Sequence, residues 1–258
     1  MNLSISMQSL KNVFRFPFYD PKWQNKLLIG SLLGFANWII PIVPLLPVLG
    51  YFARVLRAGA RNEDPANLPE WDDWGDLFMD GLRQFGVSFL AFLPSTIIFL
   101  AAYAVYMVLI LSMSSIEQSG GTGPALATVF GAMLVLFVGM AVGMLLFLLS
   151  ALVMPPAAAH VAVQRRFSAA FEFGRWWGIL KANFLGFMVA LGIFVVIYSL
   201  MLFITQILYM TLIFCCLVPF VLMPLTVYGG IILYRLLGQA YGEAAPAAVD
   251  AAPEAPAF

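Results

Sequence analysis

The chain has 258 residues, of which 62% are hydrophobic and 10% are charged, whereas an ordinary soluble domain is about 45–50% apolar and about 25% charged. Its 13 basic and 13 acidic side chains balance, so it has no basic excess with which to bind nucleic acid. The composition argues against a soluble globular enzyme. Because the only two cysteines are adjacent in the sequence, it also excludes a disulfide-rich secreted domain.

The fixed charges are clustered, and four stretches of the chain contain none. These stretches cover 160 of the 258 residues: Leu27–Ala53, Gln84–Ile116, Gln118–Gln164 and Ala182–Tyr234. A helix of about 20 apolar residues crosses a bilayer core of about 30 Å. The stretches lack the strict alternation of barrel strands, so they favour helices.

The pattern therefore predicts an all-α fold, a polytopic membrane helical bundle. We expect four full spans, near Val87–Ser112, Ala125–Val153, Asn183–Ile204 and Ile207–Leu233. We expect residues 27–242 to form a helical transmembrane domain whose partner is the lipid bilayer. Residues 1–26 are predicted to form an interfacial amphipathic arm, and the Ala- and Pro-rich residues 243–258 a disordered tail.

The first charge-free stretch, Leu27–Ala53, carries three prolines spaced by three. Proline removes a backbone donor and clashes with the preceding turn, so the helix must break or bend there. Two interpretations remain open: one kinked crossing, or a re-entrant hairpin. The second is favoured, because it leaves all basic segments on one side of the membrane, as the positive-inside rule requires.

A second pattern predicts an amphipathic helix over residues 68–85. Apolar side chains from Trp71 to Phe85 recur at helical spacing, and acidic side chains occupy the opposite face. Asn67 with Glu70 is typical of a capping box. We expect this helix to lie in the membrane interface on the cytoplasmic side.

The acidic face requires compensation, because anionic lipid would repel it. Arg54, Arg57 and Arg61 step by three and four and so share one face of the preceding helix. We therefore predict an interfacial ion-pair cluster between the two faces. Its members are Arg54, Arg57, Arg61, Glu70, Asp72, Asp73, Asp76 and Asp80.

The tryptophans support this orientation, because five of the six lie in the basic segments. Tryptophan is enriched at membrane interfaces. The predicted membrane-interface aromatics are Trp23, Trp71, Trp74, Trp176 and Trp177. Together with the positive-inside rule, they indicate a multi-pass protein of a prokaryotic cytoplasmic membrane, with the basic segments inside.

The spacing Asp73, Asp76 and Asp80, preceded by Asp72, places carboxylates along one helix face. Such a line could hold Mg²⁺ and, through it, a diphosphate. It resembles the first aspartate motif of membrane-embedded prenyltransferases, but the second aspartate cluster of those enzymes is missing here. His160 is the only histidine and has no partner at metal-ligand spacing, and we expect no metal, cofactor or catalytic residue.

Several blocks resemble one known family: Gly50–Arg54, Leu68–Gly75 with its Leu-Pro-Glu-Trp sequence, and Phe78–Gly81. They are similar to the domain-of-unknown-function family numbered 4013, whose members are uncharacterised polytopic membrane proteins. The resemblance extends over most of residues 14–242. It implies a membrane architecture and supplies no reaction.

Three functional hypotheses remain. The leading one is a non-catalytic membrane scaffold or assembly partner, since charge-free spans with Gly131, Gly139 and Gly143 suit helix packing against membrane-protein partners or in a homo-oligomer. The second is a carrier of a lipid or small apolar molecule. The third is a magnesium-dependent enzyme that acts through the Asp72–Asp80 cluster.

Overall fold

The computed structural model describes residues 14–63, 67–113, 122–210 and 217–251. Within these ranges the chain forms helices and no strand, which confirms the predicted all-α fold. The α-helices are α1 (Trp23–Ile39), α2 (Leu45–Ala60), α3 (Trp74–Leu111), α4 (Thr122–Gln164), α5 (Phe173–Ala182), α6 (Phe184–Met210), α7 (Val218–Ala244) and α8 (Pro246–Asp250). Two 3₁₀ helices span Phe16–Tyr19 and Phe167–Phe171.

Four of these helices, α3, α4, α6 and α7, are long and apolar enough to cross a membrane. The prediction of a polytopic bundle with four spans is thereby confirmed. Helix α3 has 38 residues, so at 1.5 Å per residue it is about 57 Å long, well beyond a hydrocarbon core of about 30 Å. The chain is a multi-pass membrane protein.

The start of α3 corrects the predicted interfacial helix over residues 68–85. Residues 67–73 are not helical, and a single helix runs without interruption from Trp74 to Leu111. The capping residue is Asp73 rather than Asn67, because its Oδ1 accepts the backbone N–H of Asp76 at 3.2 Å. The amphipathic segment is therefore the first part of a spanning helix.

The predicted break in the first charge-free stretch is confirmed. Helix α1 ends at Ile39 and α2 begins at Leu45, with Pro41 and Pro44 between them. Ile42 adopts a φ of 73° in the connection, a conformation that a β-branched residue rarely takes.

The chain divides into two compact units, of which the first comprises Met1–Val87 and Pro155–Phe258. Helix α2 lies at its centre and packs on α7, which also contacts α6 and α1. A β-carbon on Gly50 would overlap the Leu77 carbonyl, and one on Gly238 would overlap the Leu56 carbonyl. These glycines let the backbone of α2 touch α3 and α7 directly, as small residues do at membrane helix crossings.

The second unit, Ser88–Met154, is a pair of apolar helical segments from α3 and α4. A β-carbon on Gly139 would overlap Ala102, and one on Gly143 would overlap the Phe99 ring. Ser150 Oγ donates to the Ala91 carbonyl at 2.5 Å. Small residues and one side-chain hydrogen bond therefore join the two segments.

The two chain ends compare differently with the sequence prediction where they are described. In the N-terminal arm, Phe16, Asp20 and Lys26 are buried in the first unit, whereas Phe18 and Tyr19 are exposed, and the position of the arm at the membrane interface stays a prediction. In the tail, α7 extends to Ala244 and α8 follows it, so residues 243–251 are not disordered. Residues 1–13 and 252–258 lie outside the described residues, as do Cys215 and Cys216.

Candidate functional site

The candidate site is built around Asp80, a carboxylate on the first turns of α3 that is only 2% exposed. Arg57, from α2, places Nη2 at 2.6 Å from Asp80 Oδ2. Arg83, one turn further along α3, places Nη1 at 2.6 Å from the other oxygen. Two guanidinium groups thus neutralise a carboxylate that would be costly to bury alone.

Asp76, in the first turn of α3, and Asp72, just before the helix begins, extend this arrangement. Arg54, one turn before Arg57 on α2, contacts Asp72 at 2.5 Å and Asp76 at 3.6 Å. The stripe of arginines on α2 therefore faces the carboxylates across the connection between the two helices.

Arg165 completes the set from a third element and is not a member of the predicted cluster. It follows the last residue of α4, where its φ of 52° ends the helix. Its Nη2 forms an ion pair with Asp76 and lies 3.8 Å from Asp80 Oδ2. The available signal was the Arg165-Arg166 pair at the end of an apolar stretch. We call Arg54, Arg57, Asp72, Asp76, Asp80, Arg83 and Arg165 the arginine–aspartate cluster.

Three residues of the predicted cluster have other roles. Arg61 faces Glu63 at 3.8 Å and, among the described residues, forms no ion pair with α3. Asp73 caps α3 through the backbone N–H of Asp76. Glu70 lies 3.1 Å from Lys26 Nζ, in a second group of charges at the start of α1.

That second group contains a buried pair, Lys26 and Asp20, each 4% exposed. Lys26 Nζ donates to Asp20 Oδ2 at 2.8 Å and to the Leu68 carbonyl at 2.6 Å. Burial raises the pKa of the Asp20 carboxyl, but hydrogen bonds from Lys26 and from the backbone N–H groups of Lys22 and Leu68 outweigh it. The net pKa of Asp20 lies below its ordinary value of 3.8.

The five predicted interface tryptophans fall into two sets. Trp71 and Trp176 are buried, and their indole N–H groups donate to the Lys26 and Ala170 carbonyls at 3.0 Å. Trp71 also stacks on Tyr51, with 4.2 Å between ring centroids. Trp74 and Trp177 are exposed, and Trp23 is partly exposed. The belt prediction is therefore corrected for Trp71 and Trp176, which pack inside the protein.

His160 lies near the end of α4 and uses both ring nitrogens. Nδ1 is 2.8 Å from the Tyr241 hydroxyl, and Nε2 is 3.0 Å from Glu172 Oε2. This hydrogen bond, together with nearby Arg166 and Arg175, lowers the pKa of the Glu172 carboxyl. Because a carboxylate only accepts, neutral His160 donates from Nε2 and accepts from Tyr241. The histidine joins α4, α7 and Glu172, which lies between the Phe167–Phe171 segment and α5.

The arginine–aspartate cluster leaves few carboxylate oxygens free to bind a metal ion. Within the described ranges, no group of three or more His, Cys, Asp or Glu side chains is placed to hold a metal ion. A polar cleft of about 350 Å³ lies beside the arginine–aspartate cluster and includes Arg61, Glu63 and Asn67 in its walls. The cleft carries charges of both signs, and its carboxylates already accept from arginines.

Comparison with known families places these observations in context. A family model described as "Protein of unknown function (DUF4013)" matches residues 33–210, which is more than half of the chain. The resemblance found in the sequence is thereby confirmed. No curated protein and no solved structure matches the chain.

Proposed function

The chain belongs to the DUF4013 family of proteins of unknown function, and on that premise we propose that it is a non-catalytic membrane scaffold. In this role it holds partner membrane helices, or a second copy of itself, in a fixed arrangement. The observation that carries the proposal is the use of Asp76 and Asp80 as ion-pair partners for arginines of two other elements.

Ion pairing supports a scaffold over a magnesium-dependent enzyme. A magnesium ion is bound through carboxylate oxygens together with several waters. Here guanidinium groups already occupy oxygens of all three carboxylates that face α2: Asp72, Asp76 and Asp80. The charges therefore join segments of this chain to one another, and they fix geometry more than they add stability.

A surface for partners is available on the second unit. The α4 part of that unit exposes Phe130, Leu134 and Phe137, and nothing lies within 4 Å of a β-carbon built on Gly131. Small residues flanked by large apolar ones allow close approach of another membrane helix. Gly139 and Gly143, by contrast, are already used inside the unit.

Site-specific photocrosslinking in native membranes tests the scaffold. A photoreactive residue at Leu134 should give protein adducts of discrete mass, and Gly131→Leu should abolish them. The matched control is Leu200, also exposed on α6, with Gly192→Leu, since Gly192 likewise has open space around it. If Leu134 and Leu200 both give lipid adducts alone and the purified protein is a monomer, the proposal is wrong.

One observation favours the second candidate, a carrier of a lipid or small apolar molecule. An apolar groove of about 530 Å³ runs along α1 and α7, from Trp23 and Leu27 to Phe35 and Phe220. Its size and lining fit an acyl chain. Lipid transfer between vesicles should then fall when Leu28→Trp fills the groove, whereas Val195→Trp on α6 should leave the transfer rate unchanged.

We also place the protein in the cytoplasmic membrane of a prokaryote, with the arginine–aspartate cluster on the cytoplasmic side. The positive-inside rule supports this orientation. So does the position of Arg54, Arg57 and Arg165, which end two apolar segments and meet at one place. A reporter fused after Asp250 should be active only in the cytoplasm.

A further inference from the structure

We infer that residues 38–43 form the tip of a re-entrant hairpin, and that acyl chains in the bilayer interior surround this tip. The hairpin consists of α1, the connection over residues 40–44, and α2. It enters and leaves the membrane at the face that carries the arginine–aspartate cluster. The inference concerns binding to lipid and is independent of the scaffold proposal.

Both open ends of the hairpin lie beside the same short segment of chain. At the start of α1, Lys26 donates to the Leu68 carbonyl and accepts from Trp71 through its own carbonyl. Toward the end of α2, Arg54 contacts Asp72. The chain therefore enters the hairpin through α1 and leaves it through α2 at the same depth, which is the depth of residues 68–72.

The arms are too short to cross from that level. From Lys26 to Ile39 the rise along α1 is about 20 Å, and from Leu45 to Arg54 it is about 14 Å along α2, at 1.5 Å per residue. A hydrocarbon core is about 30 Å thick. The connection over residues 40–44 is thus expected at a depth where water does not reach it.

The side chains at the tip fit such surroundings. Trp38, Ile39, Ile40, Ile42 and Val43 are all apolar and exposed, with Ile39 at 84%. Ile42 occupies the left-handed region, which in a turn exposed to water is usually given to glycine or asparagine. The presence of an apolar β-branched residue at this strained position indicates that the tip requires an apolar side chain there.

The backbone of the tip also fits lipid, because no N–H group over residues 40–47 lacks an acceptor. Pro41, Pro44 and Pro47 have no N–H. Ile40, Val43, Leu45 and Leu46 each donate to a backbone carbonyl within the tip or the end of α1. Ile42 donates to Asn37 Oδ1 at 2.9 Å. Non-helical backbone at membrane depth requires such internal pairing of its donors.

The last two prolines of the sequence pattern thus do more than break a helix. Pro44 is the capping residue of α2, and Pro47 occupies its first turn. These are positions where a helix leaves N–H groups without intrahelical partners. Proline removes two of these donors, and Leu45 and Leu46 bind the Ile42 carbonyl instead.

Cysteine accessibility tests the hairpin in the full chain, in a background with Cys215→Ala and Cys216→Ala. Single cysteines replace Asn25 and Asn67, which are exposed at the two open ends, and Ile39 at the tip. A second tip variant, Trp38→Cys, guards against a folding defect at Ile39. The probe is a membrane-impermeant maleimide added to sealed vesicles of either orientation.

We expect Asn25→Cys and Asn67→Cys to react from the same side, and both tip cysteines to react from neither side until detergent is added. Glu117 lies in the sequence between the first two predicted spans, Val87–Ser112 and Ala125–Val153, and is therefore expected on the opposite side, so Glu117→Cys reports labelling from there. Reaction of Asn25→Cys and Asn67→Cys from opposite sides would overturn the hairpin. Reaction of a tip cysteine in sealed vesicles, from whichever side, would overturn its burial in lipid.

Discussion

Arg165 forms an ion pair with Asp76, although 89 positions of sequence separate the two residues. Arg165 follows α4, whereas Asp76 lies in the first turn of α3. The pair joins these two elements, and Arg54 on α2 contacts the same carboxylate at 3.6 Å. Three elements of the first unit are therefore held together through Asp76 and its neighbour Asp80.

Neutralising Asp80 should be far more harmful than neutralising Asp72. Asp80→Asn leaves Arg57 and Arg83 without their shared counterion in a place that is 2% exposed, and breaking a buried pair costs about 3–5 kcal/mol. Asp72 is 72% exposed, so Asp72→Asn should cost about 0–1 kcal/mol. Thermal unfolding in mild detergent measures both. Equal melting temperatures for the two variants would contradict the central position of Asp80.

The close contact of α2 with α3 predicts a strong effect of one added methyl group. A β-carbon on Gly81 would overlap the Leu46 carbonyl, so Gly81→Ala must push the two backbones apart. Overpacking of this kind costs about 1–3 kcal/mol. The control is Gly178→Ala on α5, where nothing lies within 4 Å and alanine should be neutral or stabilising by about 0.5–1 kcal/mol. A Gly81→Ala protein with unchanged unfolding would show that the helices are not in contact.

Some of the structural features behind these predictions could be predicted from the sequence, and others could not. The four spans could be predicted, because the absence of charge over long stretches leaves only a membrane as solvent. The break near Pro41 could be predicted because proline acts locally. The boundary between residues 68–85 and the following span could not be placed, since both segments have helical periodicity and only Gly86, which a helix tolerates as an isolated residue, separates Phe85 from Val87.

Likewise, only part of the candidate site could be predicted from the sequence. The arginines of α2 and the acids of α3 are close along the chain, so spacing alone suggested that they pair. Arg165 comes from a distant part of the chain, and spacing carries no information about such a contact. Trp71 and Trp176 were placed at the interface because tryptophan is common there, but ring stacking and indole hydrogen bonds bury them instead.

Removing the hydroxyl of Tyr51 should not destabilise the protein. The Tyr51 hydroxyl is buried and has no hydrogen-bond partner among the described residues. A buried group of this kind costs about 1–3 kcal/mol, so Tyr51→Phe should be neutral or stabilising while the stacking on Trp71 remains. In the matched variant Tyr228→Phe, loss of the 2.6 Å bond to the Phe14 carbonyl should cost about 0.5–1.5 kcal/mol. The reverse order of the two unfolding midpoints would contradict this account.

Replacing Asn37 should destabilise the protein more than the partial exposure of its side chain suggests. Asn37→Ala removes the acceptor of the Ile42 N–H, and an unpaired donor costs about 1–3 kcal/mol where water cannot replace the lost partner. Thr96→Ala is the control, because Thr96 Oγ1 bonds a carbonyl of its own helix. Thermal unfolding in lipid nanodiscs should show the loss for Asn37→Ala alone. Equal losses for Asn37→Ala and Thr96→Ala would contradict this role of Asn37.

The depressed pKa of Asp20 predicts a loss of stability in acid. Because the folded pKa lies below the ordinary value of 3.8, the ionised carboxyl stabilises the folded state at higher pH, and this stabilisation is lost as the pH falls through the folded pKa. Asp20→Asn abolishes that contribution and leaves the buried Lys26 with Glu70 alone, a half-exposed carboxylate 3.1 Å away. At neutral pH the variant should therefore be less stable, by at most about 3–5 kcal/mol.

The difference in stability between the unmodified chain and Asp20→Asn should narrow as the pH falls below 3.8, because protonation then makes Asp20 as neutral as the asparagine. Melting temperatures of both proteins across an acid titration in detergent measure this convergence. Glu63→Gln, at an exposed acid that faces Arg61 at 3.8 Å, is the control and should follow the unmodified chain throughout. A gap that stays constant into acid would mean that Lys26 depends on the shape of the Asp20 site and not on its charge.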